Sequence, residues 1–120
     1  MDDGLLEWNY GDYEGEKTEA IREQVPGWNI FDYGAKNGES VEDVQKRGKI
    51  FLEALEKKYT GNVLCFSSGH ISRALGGIWI GQGAKYGKYL ALSTASLSIL
   101  GYEHELKVIQ KWNDTSHYEK

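Results

Sequence analysis

Asn62-Val63-Leu64-Cys65-Phe66-Ser67-Ser68-Gly69-His70-Ile71-Ser72-Arg73-Ala74-Leu75 is the stretch on which the fold turns. Asn62 to Ser67 is a short continuous apolar run, as expected of a strand buried on both faces. Gly69 then turns the chain into a helix predicted from about His70 to Ile80, with Ile71, Ala74, Leu75 and Ile78 on the face that packs on a sheet. A glycine at such a junction lets backbone N–H groups approach an anion, and the helix N-terminus adds a favourable dipole. His70 and Arg73 fall in the first turn, where both could reach one ligand. The local alternative is that His70 bonds a neighbouring carbonyl and Arg73 is a solvated helix charge.

Upstream lies the clearest periodicity. Ser40 is placed to cap a helix, with Asp43 three residues on in a capping-box-like position. Val41, Val44, Phe51, Leu52, Leu55 and Tyr59 then recur at helical spacing, and Gly61 is a natural stop. Glu42–Lys46, Asp43–Arg47 and Glu53–Lys57 are spaced as favourable pairs on the solvated face. A shorter helix is expected over Lys17 to Gln24, closed by Pro26-Gly27. Residues 1–15 and Trp28 to Gly38 read as irregular. Downstream, Ala95 to Tyr102 and Leu106 to Trp112 are β-rich, with a turn at Glu103–Glu105, hence a hairpin. Helix, buried strand, helix and hairpin make an α/β domain with a mixed sheet.

With 120 residues the chain holds one domain. Forty per cent hydrophobic residues and four Trp exclude intrinsic disorder. The net charge of −4 disfavours non-specific nucleic-acid binding. Much of the acidity is early, where Asp2, Asp3, Glu7, Asp12, Glu14, Glu16, Glu19 and Glu23 face only Lys17 and Arg22. Cys65 is the only cysteine, which excludes an intrachain disulfide and a cysteine-based metal site, and its apolar setting marks a buried inert thiol. The start is acidic rather than basic, and no run approaches the roughly 20 apolar residues that span a bilayer. A soluble cytoplasmic protein is expected, with no nucleic-acid or membrane partner and no metal or organic cofactor.

Two further segments carry candidate chemistry. Leu6-Glu7-Trp8-Asn9-Tyr10-Gly11-Asp12-Tyr13-Glu14-Gly15 sets three carboxylates among aromatic and amide side chains, where a carboxyl group can act as a general acid. Gly38-Glu39-Ser40 precedes the long helix, and there capping is a sufficient explanation. His104 at the hairpin turn and His117 near the terminus lack metal-ligand spacing.

In this order the segments resemble the histidine phosphatase, or phosphoglycerate-mutase-like, superfamily, and in particular its sedoheptulose-bisphosphatase-like branch. The resemblance rests on residues 6–15, Gly38-Glu39-Ser40, Arg47, Phe66-Ser67-Ser68-Gly69-His70, Ser72-Arg73-Ala74-Leu75, Thr94-Ala95-Ser96 and Trp112-Asn113-Asp114. It implies a phosphoglycerate-mutase-like mixed sheet flanked by helices. It also implies phosphomonoesterase chemistry, in which a histidine attacks the phosphoryl group and a glutamate protonates the leaving alcohol and then activates water. By resemblance Glu7 takes the acid/base position, Gly69 lies in the phosphate-binding turn with His70, and Arg73 and His104 meet the substrate's second phosphate or its sugar. The ligand implied is a phosphorylated small molecule such as a sugar phosphate.

Two departures shape the expectation. The family's opening strand and Arg-His-Gly nucleophile motif precede the Glu7 segment, whereas here Met1 begins just before it. The second histidine should precede Gly69, where Ser68 stands, and serine cannot replace a cationic imidazole donor. Residues 1–120 are therefore expected to be the C-terminal part of a single domain, without its N-terminal strand and helix, and inactive alone. Two alternatives stay open: an active phosphomonoesterase completed by another chain, and a non-catalytic interaction module. An unpaired central strand would favour self-association or a partner that supplies the missing strand.

Overall fold

Ser40 and Asp43 start the longest helix by capping each other. The Ser40 hydroxyl accepts from the Asp43 backbone N–H and the Asp43 carboxylate accepts from the Ser40 N–H, both at 3.0 Å. These bonds hold the Asp43 carboxyl below the ordinary carboxylate range. In the computed structural model, which describes residues 5–59, 61, 63 and 67–118, the helices are α1 (Thr18–Gln24), α2 (Ile30–Tyr33), α3 (Val41–Lys58) and α4 (Gly69–Trp79). A hairpin of β1 (Leu97–Glu103) and β2 (Leu106–Asp114) follows, and short 3-10 turns occupy Gly11–Tyr13 and Ala84–Tyr89.

Helix α3 buries Val44, Gly48, Phe51 and Leu52 along one stripe. A Cβ on Gly48 would meet Ile78 Cδ1 at 2.7 Å, so the small residue lets α3 and α4 approach closely. From α4, Ile71, Ala74 and Leu75 enter the same core, as their spacing predicts. Trp8, Val44 and Ile71 are its most completely buried large side chains. Trp8 packs edge-on to Phe31 of α2 with centroids 5.6 Å apart, which ties the N-terminal segment to the helical layer.

The hairpin lies along α4. Trp112 packs against Gly76, where a Cβ would meet its ring at 2.9 Å, and the Trp79 indole N–H donates to the carbonyls of Gly101 and Val108, both at 3.1 Å. β1 and β2 pair antiparallel, with Glu103 opposite Leu106 and irregular register near Ile99. His104 and Glu105 form the turn with φ of 48° and 72°. Two positive φ angles match the twist of a tight hairpin, a conformation that usually selects Asn or Gly.

The structure departs from the sequence-based expectations in three places. Residues 28–38 are not wholly irregular, because the Asn29 side chain accepts from Asp32 N–H at 3.0 Å and starts the single turn of α2. The 3-10 turn at Ala84–Tyr89 was not anticipated. Arg47 pairs with Glu39 rather than with Asp43, whose carboxylate is engaged in the cap. The sheet among the described residues is two-stranded and antiparallel; the strand expected over Asn62 to Ser67, with Cys65, falls largely outside the described residues. No helix among the described residues is long and apolar enough to cross a membrane.

Ser40→Ala removes one half of the capping box and is expected to lower unfolding free energy by about 1 kcal/mol. Gly38→Ala is expected to lower it by more than about 2 kcal/mol, because a Cβ there meets the Asn9 carbonyl and lies 2.6 Å from the Gly11 nitrogen, both main-chain atoms. Urea unfolding measures both, and equal losses would show that the 9–11 and 38 segments yield without strain.

Candidate functional site

The Glu7 segment reaches its position through a ladder to residues 36–39. Asn9 N–H donates to Glu39 Oε1 at 2.9 Å, Glu39 N–H donates to the Asn9 carbonyl at 2.9 Å, and Trp8 Nε1–H donates to the Glu39 carbonyl at 2.9 Å. Asp12 N–H donates to the Lys36 carbonyl at 2.8 Å. Gly11 and Gly38 face each other where these strands of loop cross, and side chains on either would strike the other's backbone. Arg47 locks the crossing from α3. Its Nε and Nη2 donate to the two Glu39 carboxylate oxygens at 2.6 and 2.9 Å, and Nη2 also donates to the Glu7 carbonyl at 3.2 Å.

Held in this way, the Glu7 side chain lies across the start of α4. Its Oε1 accepts from Ile71 N–H at 2.8 Å and from its neighbour Trp8 N–H at 3.0 Å, and its Oε2 accepts from His70 N–H at 3.2 Å. Two amides that a helix leaves unpaired are thus capped by a carboxylate from far along the chain. Ser68 is the N-cap residue, yet its side chain makes no capping bond. The reason is occupancy, since a serine in that role accepts from the second or third helical N–H and Glu7 holds both. Gly69 is exposed, and a Cβ there would meet nothing within 4 Å. Among the described residues neither its conformation nor packing demands glycine, and none of them fills the space beside its Cα.

His70 is half-buried beside Glu7. The Tyr10 hydroxyl lies 2.6 Å from its Nδ1, and the rings of Tyr10 and Phe31 meet it edge-on at 5.6 and 5.7 Å. Burial pushes the imidazole below its ordinary value, with the Arg73 charge adding and the Glu7 carboxylate opposing. Burial first and the Glu7 carboxylate second push the Tyr10 phenol up.

The other expected site residues lie elsewhere. Arg73 turns away from Glu7: its Nε donates to the Gly87 carbonyl at 3.0 Å, its Nη2 to the Lys88 carbonyl at 3.2 Å, and its guanidinium stacks 4.7 Å from the Phe31 ring centre. It fastens the 84–89 turn to α4. His104 sits at the hairpin tip, beyond Tyr102 and Lys107, which bond Glu56 near the end of α3, and beyond Trp79 at the end of α4. Helix α4 spans about 15 Å, so His104 and Glu7 occupy opposite ends of it. The structure joins Glu7, Ser68, Gly69 and His70, and leaves Arg73 facing another way and His104 apart. Tyr10 and the Glu39–Arg47 pair are site residues whose role sequence reasoning missed. Among the described residues no group of three His, Cys, Asp or Glu side chains could hold a metal ion.

The Glu7 carboxylate thus covers the first amides of α4 beside the exposed Gly69, with the His70 imidazole alongside. Residues 1–115 match the histidine phosphatase superfamily (branch 1), and the chain belongs to that superfamily. It is 39% identical over 114 residues to an acid phosphatase of Mycobacterium tuberculosis, covering 94% of this chain and 56% of that protein. It is 32% identical over 101 residues to sedoheptulose 1,7-bisphosphatase of Saccharomyces cerevisiae, covering 71% and 37%. The solved structure of an open reading frame product of Mycobacterium tuberculosis superposes with a TM-score of 0.90 at 36% identity, over 95% of this chain and 60% of that one. The alpha-ribazole phosphatase of Shigella flexneri shares the fold, with a TM-score of 0.73 at 19% identity over 93% and 59%. The chain therefore spans about half the length, or less, of the curated relatives it matches.

His70 predicts a specific acid sensitivity. Its folded-state pKa lies below the unfolded value of 6.5, so its contribution to stability is present above that pH and is lost as pH falls through the folded pKa. The depressed carboxyls of Asp32, Asp43, Glu56 and Asp114 act only below ordinary values of 3.8 to 4.5, a more acidic window. Unfolding free energy is expected to fall as pH drops below 6.5, and to fall less steeply there in His70→Asn. An equal slope in the two proteins would assign it to another group.

Proposed function

We propose that the corner formed by Glu7, Ser68, Gly69 and His70 is the acid/base side of a phosphomonoester site of the phosphohistidine type, and that these 120 residues alone do not turn over phosphate esters. The observation that carries the proposal is the Glu7 carboxylate lying on the His70 and Ile71 amides. Acid/base group and anion-binding N–H groups are adjacent, as protonation of an alcohol leaving a bound phosphoryl group requires. The relatives named as an acid phosphatase and a sedoheptulose 1,7-bisphosphatase support small phosphorylated molecules, sugar phosphates among them, as the substrate class.

Geometry limits what Glu7 can do. Oε1 already accepts two N–H bonds and Oε2 one, so the proton that Glu7 would deliver has room only on Oε2. No Arg-His-Gly triplet occurs in the 120 residues, and Ser68 stands where the resemblance expects the second histidine. A hydroxyl there supplies no cationic donor to a developing phosphoryl charge. Arg73 could meet a substrate only by releasing the Gly87 and Lys88 carbonyls, and His104 has no part in this corner.

With para-nitrophenyl phosphate the 120-residue chain is expected to show no turnover above a buffer blank. Turnover that survives repurification and disappears in Glu7→Ala would overturn the inactivity.

Inorganic phosphate at millimolar concentration is expected to shift the backbone amides of residues 69–71. Glu7→Ala should tighten that binding severalfold, because the carboxylate both occupies the amides and repels the anion. Shifts clustered away from residues 67–73, or weaker binding in Glu7→Ala, would place the anion elsewhere.

A further inference from the structure

We propose that Tyr10 is a positioning residue that holds His70 as the neutral tautomer protonated on Nε2, so that the imidazole offers a hydrogen-bond donor to a phosphoryl oxygen at the start of α4. The ligand side of this role rests on the corner being a phosphate site, and the choice of tautomer on Glu7 keeping Oε2 open for an acid proton, as proposed above.

The bond between the Tyr10 hydroxyl and His70 Nδ1, 2.6 Å long, is the only side-chain hydrogen bond of the imidazole among the described residues. Two proton arrangements are compatible with that distance. In one, the phenol donates to a bare Nδ1 and the ring carries its proton on Nε2. In the other, Nδ1–H donates to the phenolic oxygen, and the phenol must send its own proton to a further acceptor. Glu7 is that acceptor, and after burial its interaction with the phenol helps push Tyr10 up; but Oε1 has both lone pairs engaged and Oε2 has one, so the second arrangement takes the position that an acid proton needs. The first arrangement satisfies every group without that conflict.

The ring has little freedom to escape it. Tyr10 and Phe31 hold the imidazole edge-on from two sides, at interplanar angles of 89° and 68°. Every buried side-chain nitrogen and oxygen among the described residues is hydrogen-bonded, so Nε2, which has no partner among those residues, is not fully buried. An Nε2–H there favours ionised phosphoryl oxygen, an acceptor, over any group that can only donate. Tyr10 thereby acts on ligand choice through His70 rather than by touching the reacting atoms.

Histidine nitrogen spectra of the labelled 120-residue chain at about pH 8, where imidazole is neutral, read the tautomer directly. The expected result is a protonated Nε2 and a bare Nδ1 for His70, with Tyr10→Phe, which keeps the edge-on ring contact, shifting both nitrogens toward a mixture. A protonated Nδ1 in the unaltered chain, or identical shifts in Tyr10→Phe, overturns the proposal. During an inorganic phosphate titration the Nε2 resonance is expected to move together with the amides of His70 and Ile71. Movement of those amides without Nε2 removes the donor role and leaves the phosphate site standing. Movement of neither overturns the phosphate site and the donor role together.

Discussion

The first amides of α4 need acceptors, and the chain supplies them from a carboxylate 63 and 64 residues away in sequence. Everything around the corner serves that contact. Glu7 reaches His70 and Ile71 from a segment, residues 7–12, that is laced to residues 36–39, and Arg47 reinforces the lacing by fixing Glu39 with two charge-assisted bonds. Arg47 in turn is placed by α3, whose start is set by the Ser40 box. A local cap by Ser68 would satisfy one of these amides and would not join the N-terminal segment to the start of α4. The long-range cap instead converts a helix end into a tertiary contact.

The sequence made the helical parts legible because their signals are local. The capping pair at Ser40 and Asp43, the apolar stripe from Val44 to Leu52 and the face of Ile71, Ala74 and Leu75 all lie within a few turns of one another. The hairpin was legible in position, although its turn proved to be His104–Glu105 with two positive φ angles rather than a three-residue connection. Helix α2 escaped notice because one turn carries no periodicity, and only the Asn29–Asp32 spacing announces it. The 84–89 turn escaped for a stronger reason: it is anchored by Arg73, a residue read as facing a ligand.

The sequence singles out Glu7 and Gly69, and the structure sets the Glu7 carboxylate on the two amides that follow Gly69; the polar partners that hold it there carry no local signal. Whether Glu39 caps α3 or binds Arg47 is decided by eight residues of helix geometry that bring the guanidinium back over the helix start. Likewise Tyr10 and His70 stand 60 residues apart, and no spacing rule connects them. For Arg73 the matter turns on side-chain direction. Its place in the first turn of α4 is compatible with an anion on one side and with two backbone carbonyls on the other, and side-chain direction on a helix follows rotamer and packing rather than sequence spacing alone. The Phe31 ring beneath the guanidinium favours the second choice.

The self-capped corner has a thermodynamic consequence for any anion that enters it. Glu7 satisfies the same N–H groups that a phosphoryl group would use, so binding exchanges one set of charge-assisted bonds for another and yields only the difference. The two arginines at hand add little to that difference, because Arg47 already faces the Glu39 carboxylate and Arg73 would have to abandon the 84–89 turn. What remains is the helix dipole, the exposed turn at Gly69 and the imidazole of His70. On the function proposed for this corner, the carboxylate must yield its amides before a phosphate can take them, and so moves as the ligand arrives. The group proposed to transfer the proton and the group that covers the anion position are then one side chain, and the two duties are separated by the rotation of Glu7.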